Sequence, residues 1–280
     1  MTARVAVVMV VVVAVAAGTA LWMARDPSSG AAPAGLAPTT EPVGGPRRPP
    51  VGAAWQYQLS GPLDLDVDAE VFDVDGDETS ADDIAHLHAR GAYVVCYISA
   101  GTFEEWRDDA SAYPDDVLGR PLDDWPGERW VDVRRTDVLL PIIEDRLARC
   151  AAKGFDAVEL DNVDGYTHDT GFDLSAADQI AFDLALAAAA HRAGLAVGLK
   201  NSAELVVDLV DAFDFAVVEE CIAYDECDRY VPFVEADKAV FLVEYGLEPD
   251  EVCPRARALG FSAIVKRSDL GAPVQPCPRS

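Results

Sequence analysis

Two acidic residues, each at the end of an apolar stretch, are the strongest candidates for chemistry in this sequence. Asp161 follows the run 155–160, and Glu219 follows the run 213–218. Lys200 follows a third run, 195–199, which lies between the other two in the chain. Glycoside hydrolysis uses two such carboxyl groups, one as nucleophile or base and the other as a protonated acid. A cation between them would orient Asp161, so we predict a hydrolytic acid pair.

A third acid, Glu159, precedes Asp161 by two residues on the same predicted strand. The period of two places both side chains on one face of that strand. A carboxyl group in so apolar a stretch needs a partner, and we expect Glu159 to support the site from behind. The alternative is a metal-dependent hydrolase, in which a divalent cation is bound by Glu159, Asp161, Asp164 and Glu219. The four histidines are scattered and no C-x-x-C is present, so we predict no zinc site. Our first choice is a site with no metal and no cofactor.

Eight short stretches predict the strands that position these side chains. They cover residues 55–59, 70–75, 93–99, 155–160, 195–199, 213–218, 239–243 and 262–265. Predicted helices at 80–90, 136–153, 176–193, 203–212 and 249–259 alternate with most of the strands. This alternation predicts an α/β fold, a (β/α)8 TIM barrel with a single catalytic domain, which lacks a long helix after its first strand. An open doubly wound sheet is the second choice, although no G-x-G-x-x-G follows any strand.

Polar residues end all eight predicted strands, and in a barrel these ends meet on one face. They are Gln56, Gln58, Asp73, Asp75, Tyr97, Ser99, Asp161, Asn162, Lys200, Asn201, Glu219, Glu244, Tyr245, Lys266 and Arg267. The acidic and aromatic segment 102–134 is too long for an ordinary connection and predicts a functional loop or lid, or else a satellite hydrophobic cluster. The aromatic residues expected to stack on a ligand, or simply to pack, are Trp106, Trp125, Trp130, Tyr166 and Tyr224.

Six motifs in the interval 55–267 resemble those of one known family. In order they are W-Q-Y-Q-L, V-F-D-V-D, Y-I-S-A-G, E-L-D-N-V-D-G-Y, G-L-K-N and E-E-C-x-x-Y-x-E-C. They resemble the endo-α-1,4-polygalactosaminidase family, glycoside hydrolase family 114. The resemblance implies a (β/α)8 barrel that cleaves galactosamine-rich polysaccharide, with Asp161 and Glu219 as the catalytic acids.

The resemblance also implies that the site is lined by Asn162, Asp164, Tyr166, Lys200, Asn201 and Tyr224. We favour Glu219 over the adjacent Glu220 as the acid that faces the sugar. The expected substrate contacts are Asp73, Asp75, Tyr97, Asn162, Asp164, Tyr166, Lys200, Asn201, Glu220, Tyr224 and Glu244. We predict a secreted endo-glycosidase with Asp161 as nucleophile and Glu219 as acid/base. The mechanism should retain anomeric configuration unless the carboxyl groups lie well beyond about 5.5 Å. The alternative is a non-catalytic saccharide-binding barrel at the cell surface.

The formal net charge of −27 and the isoelectric point near 4.2 indicate which class of polymer this chain can bind. Such a chain repels nucleic acid and anionic membranes and attracts cationic polymers. We therefore expect a cationic polysaccharide, which the resemblance implies is galactosamine-rich, and no nucleic acid. The alternative explanation of the charge is solubility alone.

The N-terminal composition predicts export. Residues 1–26 are typical of a signal peptide or an N-terminal membrane anchor. Residues 27–52 are rich in Pro, Ala and Gly and predict a disordered linker, so the catalytic domain would cover residues 53–280. We expect an extracellular protein, secreted or anchored to the outer face of the membrane through that segment only.

Six cysteines accompany this export signal. An even number of cysteines in an exported chain predicts up to three disulfides. The plausible pairs are Cys221 with Cys227, Cys253 with Cys277, and Cys96 with Cys150. The sequence does not fix this connectivity.

Overall fold

The computed structural model describes residues 45–123 and 125–278, and the elements alternate much as the sequence predicts. The strands are β1 (Trp55–Gln58), β2 (Val71–Asp75), β3 (Tyr93–Ser99), β4 (Thr102–Glu104), β5 (Leu118–Pro121), β6 (Glu128–Val131), β7 (Ala157–Asp161), β8 (Ala196–Lys200), β9 (Phe215–Glu219), β10 (Val240–Glu244), β11 (Ser262–Val265) and β12 (Gln275–Pro276). The helices are α1 (Ala81–Ala89), α2 (Thr136–Lys153), α3 (Ala176–Arg192), α4 (Val206–Leu209), α5 (Val231–Glu235) and α6 (Pro249–Leu259).

Eight parallel strands form the main sheet, and this confirms the predicted (β/α)8 barrel class. The order is β1-β2-β3-β7-β8-β9-β10-β11, with β12 added antiparallel to β11. No helix lies between β1 and β2 in the described chain, as the sequence predicts. The strands from β7 to β10 begin and end one or two residues later than predicted. Asp161, Lys200, Glu219 and Glu244 are therefore the last residues of their strands.

Side chains and loops join β11 to β1, where the described chain has no continuous backbone ladder. The Lys266 Nζ donates to Gln56 Oε1 at 2.9 Å, and Gln56 Nε2 donates to the carbonyl oxygen of Ala272 at 2.8 Å. The amide of Leu59 also bonds the carbonyl of Leu270 at 3.0 Å. These contacts hold the first and last parallel strands together, so the polar ends Gln56 and Lys266 serve closure.

Two apolar layers pack on the two faces of the sheet. The barrel interior contains large aromatic side chains, among them Trp55, Tyr57 and Phe215, all nearly or fully buried. Gly198 of β8 makes room for one of them, because a Cβ atom there would lie 2.4 Å from the Phe215 ring. The other layer lies between the strands and the helices. Alternation along each strand therefore fills both faces.

The helices begin and end at the signals present in the sequence. Ser80 and Ser175 each form a capping box with an aspartate three residues later. Gly154 and Gly260 end α2 and α6 in the left-handed conformation, which glycine adopts without steric strain. The predicted helix 203–212 is shorter, with a 3₁₀ turn at 203–205 followed by the four-residue α4.

The long connection after β3 folds into a small antiparallel sheet of its own, in the order β4-β6-β5. We call residues 102–131 the inserted sheet. Its residues Tyr113, Val117 and Trp130 are buried. Arg146 of α2 attaches it to the barrel by pairing with Asp109 at 2.7 Å and donating to the carbonyl of Ser99 at 2.9 Å. The segment thus has a packed core and also borders the site described below.

Three disulfides confirm all of the plausible cysteine pairs. They join Cys96 to Cys150, Cys221 to Cys227, and Cys253 to Cys277. The first ties β3 to α2, and the third ties α6 to the segment after β12. They cross-link neighbouring elements of the barrel and restrict its unfolded chain.

The domain extends to the N-terminal side of residue 53. Arg47 pairs with Asp156 at 2.8 Å and lies over the Tyr93 ring, whose hydroxyl donates to the Arg47 carbonyl. The C-terminal part of the predicted linker therefore packs on the barrel. The signal peptide or anchor and the rest of the linker lie outside the described residues. Within the described ranges, no helix is long and apolar enough to span a membrane.

Candidate active site

A cavity of about 740 Å³ opens where the carboxyl ends of the barrel strands meet the inserted sheet. Its wall contains ten carboxylic acids and three lysine or arginine side chains. Asp161, Lys200 and Glu219 share this wall with three tryptophans of the inserted sheet, Trp106, Trp125 and Trp130. The excess of acids gives the cavity a negative potential that favours a cationic ligand.

Lys200 lies between the two predicted catalytic acids. Its buried ammonium is 3.1 Å from Asp161 Oδ1 and 3.6 Å from Glu219 Oε2. Burial opposes its charge, but Asp161, Glu159 and Glu219 together raise the pKa of Lys200 well above its ordinary value. The cation therefore persists at neutral pH. The two acid oxygens can be no farther apart than the sum of these two distances, about 6.7 Å.

Asp161 receives hydrogen bonds at both carboxyl oxygens. Tyr97 donates its hydroxyl to Oδ2 at 2.8 Å, and the Asn162 amide donates to Oδ1 at 2.8 Å, beside Lys200. Burial and the charge of Asp161 raise the pKa of Tyr97 well above its usual value. Its hydroxyl therefore keeps its proton and remains a donor, so the Asp161 carboxyl group is fixed in one orientation.

Glu219 is held by a different set of groups. The Tyr245 hydroxyl makes a short hydrogen bond to Oε1, and Asn201 Nδ2 donates to Oε2 at 3.2 Å. Asn201 Oδ1 in turn accepts the Glu219 backbone amide at 2.9 Å. Burial and the charge of Glu219 raise the pKa of Tyr245. Glu219 is 28% exposed at its side chain, against 17% for Asp161, so it is the more open to solvent.

Beneath the cavity floor, Glu159 completes the contacts of Lys200. Its Oε1 accepts from Lys200 at 2.8 Å and from the Tyr57 hydroxyl at 3.1 Å, and it is fully buried. Burial and the neighbouring Glu159 raise the pKa of Asp73 well above its ordinary value. A protonated Asp73 can donate to the remaining oxygen of Glu159, which meets no other donor among the described residues. This places Glu159 behind the site, as its position in the sequence predicts.

The residues that follow β7, β8 and β9 all adopt the left-handed conformation. Their φ angles are 60° at Asn162, 48° at Asn201 and 53° at Glu220. Asparagine tolerates this conformation better than most residues, which explains the D-N and K-N motifs. Gly101 allows the next loop to approach, because a Cβ atom there would lie 1.7 Å from the Asn162 carbonyl oxygen. Such strain is typical of functional sites.

The structure brings most, but not all, of the predicted site residues into the cavity wall. Those present are Asp161, Glu219, Asp75, Tyr97, Asn162, Asp164, Lys200 and Asn201, with Trp106, Trp125 and Trp130. Those outside it are Asp73, Tyr166, Glu220, Tyr224 and Glu244. Of the two adjacent glutamates, it is Glu219 that lines the cavity.

Each of the five predicted residues outside the wall has a physical reason to be there. Asp73 and Glu244 are buried within the sheet, and Glu244 Oε1 accepts the Ile222 amide at 2.7 Å. The left-handed turn at Glu220 directs the chain away after Glu219. The Tyr166 hydroxyl donates to Glu204 at 2.9 Å, and Tyr224 is 71% exposed. We correct the expectation that these five line the cavity.

Sequence reasoning missed a second group of charged residues in the wall, on the inserted sheet. Arg107 pairs with Asp75 at 2.8 Å and with Glu104 at 2.9 Å. Glu128 accepts from the Thr102 hydroxyl at 2.7 Å. The aromatic and β-branched residues Trp130 and Val131, which strands favour, are the one signal in the sequence that could have pointed to a strand here.

No group of three or more His, Cys, Asp or Glu side chains in the described ranges is arranged to hold a metal ion. Three of the four acids proposed as alternative ligands, Glu159, Asp161 and Glu219, instead surround the ammonium of Lys200. Their arrangement is that of carboxylates neutralised by a lysine.

Comparison with known proteins gives one family. A sequence model described as Glycoside-hydrolase family GH114 matches residues 37–280. An uncharacterized protein of Deinococcus radiodurans is 29% identical over 287 residues, 87% of this chain and 91% of that protein.

Solved structures are similar over most of the domain. The crystal structure of Aspergillus fumigatus Ega3 in complex with galactosamine matches with a TM-score of 0.79 at 38% identity, covering 82% of this chain and 97% of that one. The glycoside hydrolase domain of PelA from Pseudomonas aeruginosa matches with a TM-score of 0.61 at 16% identity, covering 80% of this chain and 97% of that one. The second match supports the barrel fold alone.

Proposed function

This chain belongs to glycoside hydrolase family GH114, and from that premise we propose that it is a secreted endo-hydrolase of α-1,4-linked, galactosamine-containing polysaccharide. Membership of the family makes it an enzyme, so the non-catalytic saccharide-binding barrel is not retained. The similarity to Ega3, whose structure contains galactosamine, supports an amino-sugar substrate. The ten acids in the cavity wall support one that is cationic.

The observation that carries the mechanism is the ammonium of Lys200 between Asp161 and Glu219. Asp161, held by Tyr97, Lys200 and the Asn162 amide, acts as the nucleophile toward the anomeric carbon. Glu219, the more exposed of the pair, donates a proton to the departing glycosidic oxygen. It then removes a proton from the water that releases the glycosyl-enzyme. Lys200 lowers the electrostatic repulsion between the two acids.

The bound on the carboxyl separation supports retention of configuration. Retaining enzymes place the two groups about 5–5.5 Å apart, and inverting enzymes about 6.5–9.5 Å apart. A limit of about 6.7 Å, set by the two Lys200 contacts, lies at the lower edge of the inverting range. It leaves little room for a water molecule between an inverting base and the sugar.

Export is the part of the proposal that rests on the disulfides. The described chain has three cystines and no free cysteine. Such bonds form and persist in oxidising compartments. Together with the apolar segment within residues 1–26, they support an enzyme that acts outside the cell.

The test is a cleavage assay on a de-N-acetylated α-1,4-galactosamine polymer, with NMR analysis of the anomer first released. We expect oligosaccharides of retained configuration from the wild type. Asp161→Asn and Glu219→Gln should each lower kcat by about 10³-fold or more. A matched control is Glu220→Gln, which changes the adjacent carboxyl outside the cavity and should stay near wild-type activity.

Three results would count against parts of this proposal. An inactive wild type on galactosamine polymers removes the substrate assignment. Inverted products remove the nucleophile role of Asp161. Activity that falls in Glu220→Gln but persists in Glu219→Gln reassigns the acid.

A further inference from the structure

Glu128 is a buried acid of the cavity wall that the proposed mechanism does not use. It begins β6 and lies directly opposite Glu104 of β4 in the antiparallel pair. Glu128 is 5% exposed and Glu104 is 3% exposed, and both line the cavity. Like charges in directly opposed positions destabilise a strand pair, so both acids need neutralising partners.

The two acids differ in whether they have such a partner. Glu104 is paired with Arg107 at 2.9 Å and approaches Arg146 at 3.6 Å. Glu128 has no lysine or arginine within ion-pair distance in the described chain. One of its oxygens accepts from Thr102, and the other has no hydrogen-bond partner among the described residues. A carboxyl group more than nine-tenths buried therefore presents a free oxygen to the cavity.

The groups around Glu128 make its charge depend on a ligand. Burial, Glu104 and Asp161 raise the pKa of Glu128 to about 7, against the lowering effects of Thr102 and Arg107. The empty cavity thus favours the protonated acid at slightly acid pH. A cation placed against the free oxygen would favour the ionised carboxylate. It would bind there more tightly than a neutral group, because the hydrogen bond to it is charge-assisted.

A hydrogen-bonded chain places Glu128 close to the predicted nucleophile. Thr102 Oγ1 contacts Ser99 Oγ at 2.5 Å, and Asn162 Nδ2 donates to the same Ser99 oxygen at 2.9 Å. Asn162 binds Asp161 through its backbone amide. A sugar placed against Asp161 therefore has Glu128 on the side of the inserted sheet, within the same cavity.

We propose that Glu128 determines specificity by binding the ammonium group of an amino sugar in the cavity. The proposal rests on the hydrolase function proposed above and assigns its preference for a free amine to one residue. A hydroxyl or N-acetyl group cannot supply the cation. Binding such a sugar leaves the Glu128 carboxyl without a counter-charge, which disfavours the neutral analogue.

The test compares Glu128→Gln with the wild type in binding galactosamine, galactose and N-acetylgalactosamine, measured by calorimetry. Glutamine keeps an oxygen that can accept from Thr102 and replaces the charged free oxygen with a neutral amide nitrogen. We expect galactosamine to bind 10- to 100-fold more weakly, whereas galactose should bind at least as tightly as it does to the wild type, because the uncompensated charge is gone. Glu105→Gln is the matched control, because Glu105 is exposed on the same inserted sheet and lies outside the cavity wall.

A pH series separates this role from a structural one. In the wild type, galactosamine affinity should rise about tenfold per pH unit below about 7, because ionised Glu128 is the binding form. The slope should disappear in Glu128→Gln. The groups that face Glu128 are Thr102, Glu104 and Arg107 of the inserted sheet and Asp161 of β7, and all of them are unchanged in the variant.

Two outcomes would overturn the proposal. Equal loss of affinity for galactosamine and galactose would show that Glu128 acts only by supporting Thr102. Unchanged binding of all three sugars would show that it does not contact the amine. A wild type that binds galactosamine with the expected pH slope but cleaves no galactosamine polymer would leave this inference standing and remove the proposed function.

Discussion

The two acidic clusters on either side of the cavity are organised in opposite ways. On the barrel side, Asp161, Glu159 and Glu219 all lie within 3.6 Å of the ammonium of Lys200. On the side of the inserted sheet, Arg107 neutralises Glu104 and Asp75. Glu128 on that side has no basic partner among the described residues.

The difference indicates a division of labour. A nucleophile and an acid need fixed orientations, and the barrel side supplies donors to every oxygen of Asp161 and Glu219. A recognition group needs an unsatisfied charge that the ligand completes. In our two proposals, the parallel strands provide the chemistry and the inserted sheet provides the selectivity. This division suits a barrel whose strand ends are fixed by the fold while its connections vary.

Removing Lys200 should have the largest effect, because it is the cation on which the acids of the barrel side depend. In Lys200→Met, three acids lose their buried cation. We expect the free energy of unfolding to fall by about 3–5 kcal/mol and kcat to fall by about 10³-fold. Urea unfolding and the cleavage assay measure the two effects.

Two companion variants show whether the charge itself is responsible. Lys200→Met combined with Glu159→Gln should recover part of the lost stability, because one uncompensated buried charge is removed, but no activity. Lys153→Met removes a lysine that, among the described residues, bonds only the carbonyls of Gly76, Asp77 and Thr79. It should lower stability without lowering kcat. Full activity in Lys200→Met would show that catalysis does not need a cation between the two acids.

The barrel side could be predicted from sequence because its signals are local. Apolar runs located the strands to within one or two residues, and Asp161, Lys200 and Glu219 end three consecutive strands of the sheet. Parallel strands bring such ends together. The sequence could not show that Tyr97 and Tyr245 hold the two acids, since many aromatic residues occupy comparable positions. Nor could it show that Asp73, two residues before the wall residue Asp75, is buried behind the site.

The inserted sheet could not be predicted to the same extent, because its pairing is antiparallel and its strands are only three or four residues long. Period-two alternation is weak over such lengths. Glu104 and Glu128 become neighbours only through that pairing. The sequence predicts that its aromatic residues either stack on a ligand or simply pack, and nothing in it separates Trp106, in the wall, from Tyr224, outside it.

Glu128→Gln should have a smaller effect on the free energy of unfolding, and of opposite sign. The folded pKa of Glu128 is about 7, above the unfolded value of about 4.3. The folded state therefore binds more protons between these values, and stability falls as pH rises through this window. Above about pH 7 the variant should be more stable than the wild type by on the order of 2 kcal/mol. Below about pH 4 the two should be equal.

The measurement is urea unfolding of both proteins at several pH values between about 4 and 8. Equal stability of the two proteins across this window would mean that Glu128 is already neutralised in the ligand-free protein. The two acidic clusters would then not differ in whether their acids are neutralised. Saturating galactosamine should reduce the difference, because the bound ammonium stabilises the ionised wild type.

The smallest effect should come from Trp106, one of the two exposed tryptophans in the described cavity wall. Trp106 is 52% exposed and lines the cavity, whereas Tyr224 is 71% exposed and lies outside it. We expect Trp106→Ala to raise KM for a galactosamine polymer about 3- to 10-fold, the loss of one stacking contact of about 1 kcal/mol, with kcat unchanged. Tyr224→Ala should change neither constant. If Tyr224→Ala raised KM instead, the polymer would run along the barrel rim rather than against the inserted sheet. Substrate recognition would then lie on the barrel side of the cavity, together with the catalytic acids.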